Sequence, residues 1–90
     1  MREEDQFVIV NELGLHARAA ARLVELASGF RAEVELEKDG QRANGKSIMG
    51  VLLLCGQRGA AVKVRAQGED AGEAVAAIGR LIADRFGEDR

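Results

Sequence analysis

Apolar and polar residues alternate in two stretches of the chain and recur at helical spacing in two others, with a short unbroken apolar run between them. In Ala32–Lys38, Val34 and Leu36 fall on one side and Glu33, Glu35 and Glu37 on the other. Ala61–Ala66 repeats the pattern, with Val62, Val64 and Ala66 opposite Lys63 and Arg65. A period of two with one wet side predicts strands of an antiparallel sheet open to solvent on one face. Ala20, Leu23, Val24 and Ala27 sit at i, i+3, i+4 and i+7, which predicts a helix starting beside His16 and stopping at Gly29. Val75, Ile78, Ile82 and Phe86 form the buried stripe of a last helix, opened by Asp70 with Glu73 as an Asp version of a capping box and closed by Gly87. Ser47–Leu54 predicts a short second helix with more apolar side chains than one face can bury, so some are expected at the surface. Phe7–Val10, FVIV, is the expected first strand, well buried, and Asp39-Gly40 the hairpin turn into a short strand at Gln41–Asn44.

The resulting order, β-α-β-β-α-β-α, predicts an α+β fold of two layers, a four-stranded antiparallel sheet with three helices on one face. Ninety residues without a linker, repeat or low-complexity segment are expected to form one domain over 1–90.

Composition narrows the function. Aromatic residues make up 3% of the chain, with no Trp or Tyr, so the core is aliphatic and stacking platforms for nucleic-acid bases are missing. A net charge of −2 argues against a partner recognised through its phosphate backbone. One cysteine, Cys55, excludes an intramolecular disulfide, and its place in the apolar run Val51–Cys55 predicts a small buried hydrophobe. One Cys and one His far apart do not make a zinc site, so neither metal nor cofactor is expected. The charged start MREEDQ is no signal region and no apolar stretch spans a bilayer, so a cytoplasmic protein without a membrane partner is expected.

Candidate chemistry gathers in Asn11–Leu26, NELGLHARAAARLVEL, around the only histidine, His16. Gly14 permits a tight turn and Ala17–Leu26 favours helix, so His16 falls at or beside the N-cap. There the first amides lack partners and the helix carries partial positive charge, which suits an anion. The same charge disfavours an imidazolium. A neutral ring with a free lone pair is expected, able to act as a nucleophile with the Arg18 guanidinium in reach of an added phosphoryl group. The plainer alternative is a capping or surface histidine. Arg22, one turn on, either steers acidic partners or is simply solvated.

Gly40–Ser47, GQRANGKS, matches G-x-x-x-x-G-K-[ST] letter for letter. A phosphate-cradling loop needs a buried parallel strand before it and a long helix after it. Here the strand before it alternates with glutamates and the middle residues are needed as a return strand, so the match is read as accidental. Ser47 is expected as the N-cap of the second helix.

GLHARAA and, downstream, NGKSIMGVLLL resemble the HPr family, histidine phosphocarriers of the bacterial phosphoenolpyruvate-dependent phosphotransferase system. The resemblance covers about Phe7 to Phe86. It implies that His16 accepts a phosphoryl group at Nδ1, as a pros-phosphohistidine, from phosphorylated Enzyme I and passes it to an Enzyme IIA-type acceptor. It gives Arg18 the part of steadying that group, and makes the protein a substrate of its partners, not an enzyme. It further implies regulatory phosphorylation of Ser47 by an HPr kinase/phosphorylase, an apolar docking patch at Ile48, Met49 and Leu52, and a monomer. One departure stands out: the family usually has proline where this chain has Ala19, which restores an amide and relaxes the first turn. Two other readings remain, a regulatory HPr paralogue in nitrogen or carbon signalling controlled mainly through Ser47, and a nucleotide-dependent enzyme using the Gly40–Ser47 loop.

Overall fold

The alternating segments lie side by side at the middle of a four-stranded sheet in the computed structural model, which describes all 90 residues. The elements are β1 (Arg2–Val8), α1 (Ala17–Ser28), β2 (Glu33–Lys38), β3 (Gln41–Asn44), α2 (Ile48–Leu53), β4 (Ala61–Gln67) and α3 (Ala71–Ala83), with a 3₁₀ turn at Arg85–Gly87. The strands run β1-β4-β2-β3 across the sheet, every pair antiparallel. This is the predicted α+β sandwich, with the three helices on one face.

Register explains the alternation. Val34 pairs with Ala66 and Leu36 with Val64, so these side chains share the inner face and are buried there. Glu35 pairs with Arg65 and Glu37 with Lys63 on the wet face. On that face the Arg65 guanidinium is shared by three carboxylates, Glu4 at 2.7 Å, Glu35 at 2.9 Å and Glu37 at 2.6 Å. The Arg65 hydrogen bond holds the Glu37 carboxyl below its ordinary range, against some desolvation that works the other way. Against the inner face pack Ala20, Leu23 and Ala27 from α1 and Val75, Ile78 and Ile82 from α3. Each large aliphatic side chain buried this way is worth about 1.5–3 kcal/mol.

Four expectations need correction. The first strand is not buried FVIV but the charged edge strand Arg2–Val8. Ile9 alone is fully buried, Phe7 is half-buried, and Val8 and Val10 are exposed. An edge position and one neighbour, β4, do not demand apolar residues. Asp70 makes no capping bond to α3. Its carboxylate accepts instead from the amides of Arg31 at 2.9 Å and Ala32 at 2.8 Å, tying the segment after α1 to the start of α3. Cys55 is exposed, because α2 is over by Leu54 and Cys55 turns out with φ 52°, leaving Leu54 to fill the core. Phe86 is fully buried as expected but lies beyond α3, in the 3₁₀ turn.

The phosphate-loop lookalike is a hairpin. Asp39 (φ 50°) and Gly40 (φ 81°) form the turn, and Gln41–Asn44 pair with β2. The helix that follows has six residues. Strand pairing thus engages the backbone that a phosphate would need.

Candidate functional site

His16 is the N-cap of α1, as the sequence predicts. Its backbone is extended (φ −71°, ψ 178°), its carbonyl accepts from Ala20 at 2.9 Å, and its Nδ1 faces the Arg18 amide at 3.3 Å. The turn before it depends on Gly14, whose φ of 66° suits glycine, and whose amide donates to the Asn11 carbonyl at 3.2 Å. A Cβ at Gly14 would stand 2.4 Å from the Gly56 carbonyl oxygen. That same carbonyl accepts from the Leu15 amide at 2.7 Å. The segment after α2 is therefore locked to the residue preceding the histidine.

The other ring nitrogen has a partner that sequence reasoning missed. His16 Nε2 lies 2.5 Å from the Glu88 carboxylate, and Asn11 Nδ2 donates to the same carboxyl group at 2.9 Å. An ionised carboxylate only accepts, so Nε2 carries the hydrogen and Nδ1, facing an amide donor, presents its lone pair. Asn11 is fully buried and also donates to the Gly14 carbonyl at 2.9 Å, while its own Oδ1 has no partner. Partial burial pushes the Glu88 carboxyl up, but the Asn11 amide, the His16 ring and Arg22 outweigh it and hold the group below the usual carboxylate range.

Glu88 arrives there by a sharp reversal after α3. Arg85 (φ 58°), Phe86 (φ 56°) and Gly87 (φ 79°) are consecutive left-handed residues, a conformation costing about 1–2 kcal/mol for each non-glycine. Burial of the Phe86 ring offsets that cost. Arg22 adds a hydrogen bond to the Phe86 carbonyl, and the Glu12 amide donates to the Arg90 carbonyl at 3.0 Å. Arg22 is therefore a clamp on the returning tail. The helical period ends with Phe86 and Gly87, which is why the pattern of the sequence is silent about Glu88.

Arg18 is exposed and lines the same open cleft as His16, Glu12 and Glu88. Ala19 is fully buried in the first turn of α1. Ser47 caps α2, its Oγ accepting from the Gly50 amide at 3.1 Å, again as predicted. On α2, Ile48, Met49 and Leu53 are exposed, whereas Leu52 is half-buried against the core and Val51 fully buried. The site has imidazole, guanidinium and unpaired amides around open space. That set suits transient attachment of a tetrahedral anion to Nδ1.

The chain resembles known proteins in sequence and in fold. Residues 3–84 match the family model for the PTS HPr component phosphorylation site. The chain is 44% identical to the phosphocarrier protein HPr of Xylella fastidiosa over 86 residues, 96% of this chain and 97% of the relative. It superposes on the crystal structure of HPr from Thermoanaerobacter tengcongensis with a TM-score of 0.94 at 43% identity, over 98% and 99% of the two chains. Crh of Bacillus subtilis, a catabolite repression protein crystallised as a dimer with a swapping domain, matches at a TM-score of 0.75 and 42% identity, over 82% and 85%. With its full-length match in sequence and in fold, the chain belongs to the HPr family of phosphocarrier proteins of the bacterial phosphotransferase system.

Proposed function

We infer that His16 is the phosphoryl acceptor of this phosphocarrier, taking the group at Nδ1 from phosphorylated Enzyme I and handing it to an Enzyme IIA-type acceptor in the cytoplasm. One observation carries the reading: the Nδ1 lone pair points along the start of α1, toward amides without helical partners, with Arg18 on the same cleft. The attached oxygens gain hydrogen bonds there, while the open site leaves the phosphorus accessible to the next nucleophile. The protein is the substrate of two partner enzymes. Arg18 steadies the group by charge-assisted hydrogen bonds. Partners dock on the apolar side chains of α2, Ile48, Met49 and Leu52, to which the exposed Leu53 adds. Ser47 is the regulatory site, modified by an HPr kinase/phosphorylase, and its phosphate adds negative charge beside that docking surface.

Incubation with phosphoenolpyruvate and Enzyme I tests the carrier role. Acid-labile, alkali-stable phosphate should form on the wild type and vanish in His16→Ala with the fold intact. Persistence of the label in His16→Ala would remove the assignment. Ser47→Asp should accept phosphate on His16 more slowly than the wild type, and an equal rate would exclude the regulatory role.

The likeness to Crh favours one second reading, a regulatory relative controlled mainly through Ser47. The same incubation separates the two, because a chain that is phosphorylated only at Ser47, and only by a nucleotide-dependent kinase, is regulatory.

A further inference from the structure

We propose that the backbone N–H of Ala19 is a further hydrogen-bond donor to the phosphoryl group on His16, and that it holds the group more tightly than a proline at this position allows. The proposal rests on the carrier reading of His16. With His16 as N-cap, the first helical hydrogen bond runs from the Ala20 amide to the His16 carbonyl at 2.9 Å. The amides of Ala17, Arg18 and Ala19 come before it and have no helical partner. Their surroundings differ. Ala17 is exposed to water, and the Arg18 amide faces His16 Nδ1 at 3.3 Å. Ala19 is fully buried, and its amide meets no acceptor of the chain, backbone or side chain. Buried amides left without a partner are rare, because such a group has given up its water and gained nothing for it.

Helix geometry aims this donor. The N–H bonds of the first turn all point out of the N-terminal end of α1, the end at which the Nδ1 lone pair lies. Transfer of a phosphoryl group changes what they meet. The Nδ1 lone pair forms the bond to phosphorus as the bond from phosphorus to the donor atom breaks, its electron pair returning to the donor. Nδ1 then no longer accepts from Arg18, and the phosphoryl oxygens bring negative charge to the mouth of the helix. The Ala19 amide gains most from their arrival, since its new hydrogen bond is charge-assisted and replaces no other. Proline, which the family usually carries here, has no hydrogen to give and leaves no orphaned donor in the resting protein. Alanine therefore makes the helix start less stable before transfer and more stable after it. The difference draws the phosphoryl group from its donor onto the carrier.

Proton–nitrogen NMR of the labelled full chain, before and after treatment with phosphoenolpyruvate and Enzyme I, follows the Ala19 amide directly. Its proton should move downfield on phosphorylation, and by more than that of Ala20, whose hydrogen bond is already made. In Ala19→Pro the equilibrium of phosphoryl exchange should shift about tenfold toward Enzyme I, while the unphosphorylated protein should unfold at higher urea. Ala19→Gly, which truncates the side chain but keeps the N–H, is the conservative variant that should restore the equilibrium lost in Ala19→Pro. An Ala19 proton that moves no more than that of Ala20, or an Ala19→Pro equilibrium equal to that of the wild type, would overturn the proposal. If Ala19→Pro does not fold, the comparison of the two wild-type amides decides alone. Both of those results leave His16 as the acceptor. A wild type that takes no phosphate on His16 would instead remove the carrier reading, and this proposal with it.

Discussion

Gly14 shows how much of the site rests on one missing side chain. Its φ of 66°, and the 2.4 Å that would separate an alanine Cβ from the Gly56 carbonyl oxygen, leave alanine no place without moving backbone. Gly14→Ala should lose about 1–3 kcal/mol in urea unfolding, and should slow phosphorylation of His16, since the displaced loop is the one that aims the ring. Ser47→Ala should cost about 1 kcal/mol through the lost cap on Gly50, measured the same way. Residues whose place follows from local rules are legible in the sequence alone: the N-cap position of His16, the capping Ser47, the hairpin at Asp39-Gly40. Glu88 and Asn11 are not. The ring contact of Glu88 spans 72 residues of chain and its bond to Asn11 spans 77, and no spacing rule reaches across a non-repeating tail.

At the scale of elements, the periodic segments are legible because burial imposes their periodicity. Val62, Val64 and Ala66 face the core and Lys63 and Arg65 do not, so β4 announces itself. β1 does not, because it is an edge strand whose α3-facing side is left open enough for charged residues. Phe7 lies against Gly79 of α3 at a place where a Cβ would meet the ring, while Glu3 and Asp5 on the same side of the strand remain in water. Cys55 and Asp70 depart from expectation for a related reason: both occupy connections, where the direction of the next turn, not propensity, decides what a side chain meets. The tail is anchored by one ring. Phe86→Ala should cost about 3–5 kcal/mol in urea unfolding and loosen the tail that carries Glu88. A Phe86→Ala protein as stable as the wild type would show that the contacts of Arg22 and Glu12 hold the tail without the ring.

For the molecule as a whole, acid should be the sensitive direction. Glu88, Asp70 and Glu37 all have folded-state carboxyls held below their ordinary values of 4.5, 3.8 and 4.5. A depressed carboxyl contributes stability that is complete above its ordinary value and is lost as pH falls through the lower, folded one. Urea midpoints should therefore be flat from neutral pH down to about 5 and decline below it, and Asp70→Asn should make that decline shallower. The charged edge of β1 bears on assembly. Glu3 and Asp5 on an otherwise apolar side discourage edge-to-edge pairing, so sedimentation should report a monomer of 9.6 kDa. A concentration-dependent dimer would instead align this chain with the swapped form of Crh.

The central claim is a bond between phosphorus and one named nitrogen. Phosphorus–nitrogen coupling in the NMR spectrum of the histidine-labelled chain, after treatment with phosphoenolpyruvate and Enzyme I, observes that bond itself. Coupling to Nδ1 of His16 is the predicted result. Coupling to Nε2, or phosphate carried by any other residue while His16 stays bare, would contradict it.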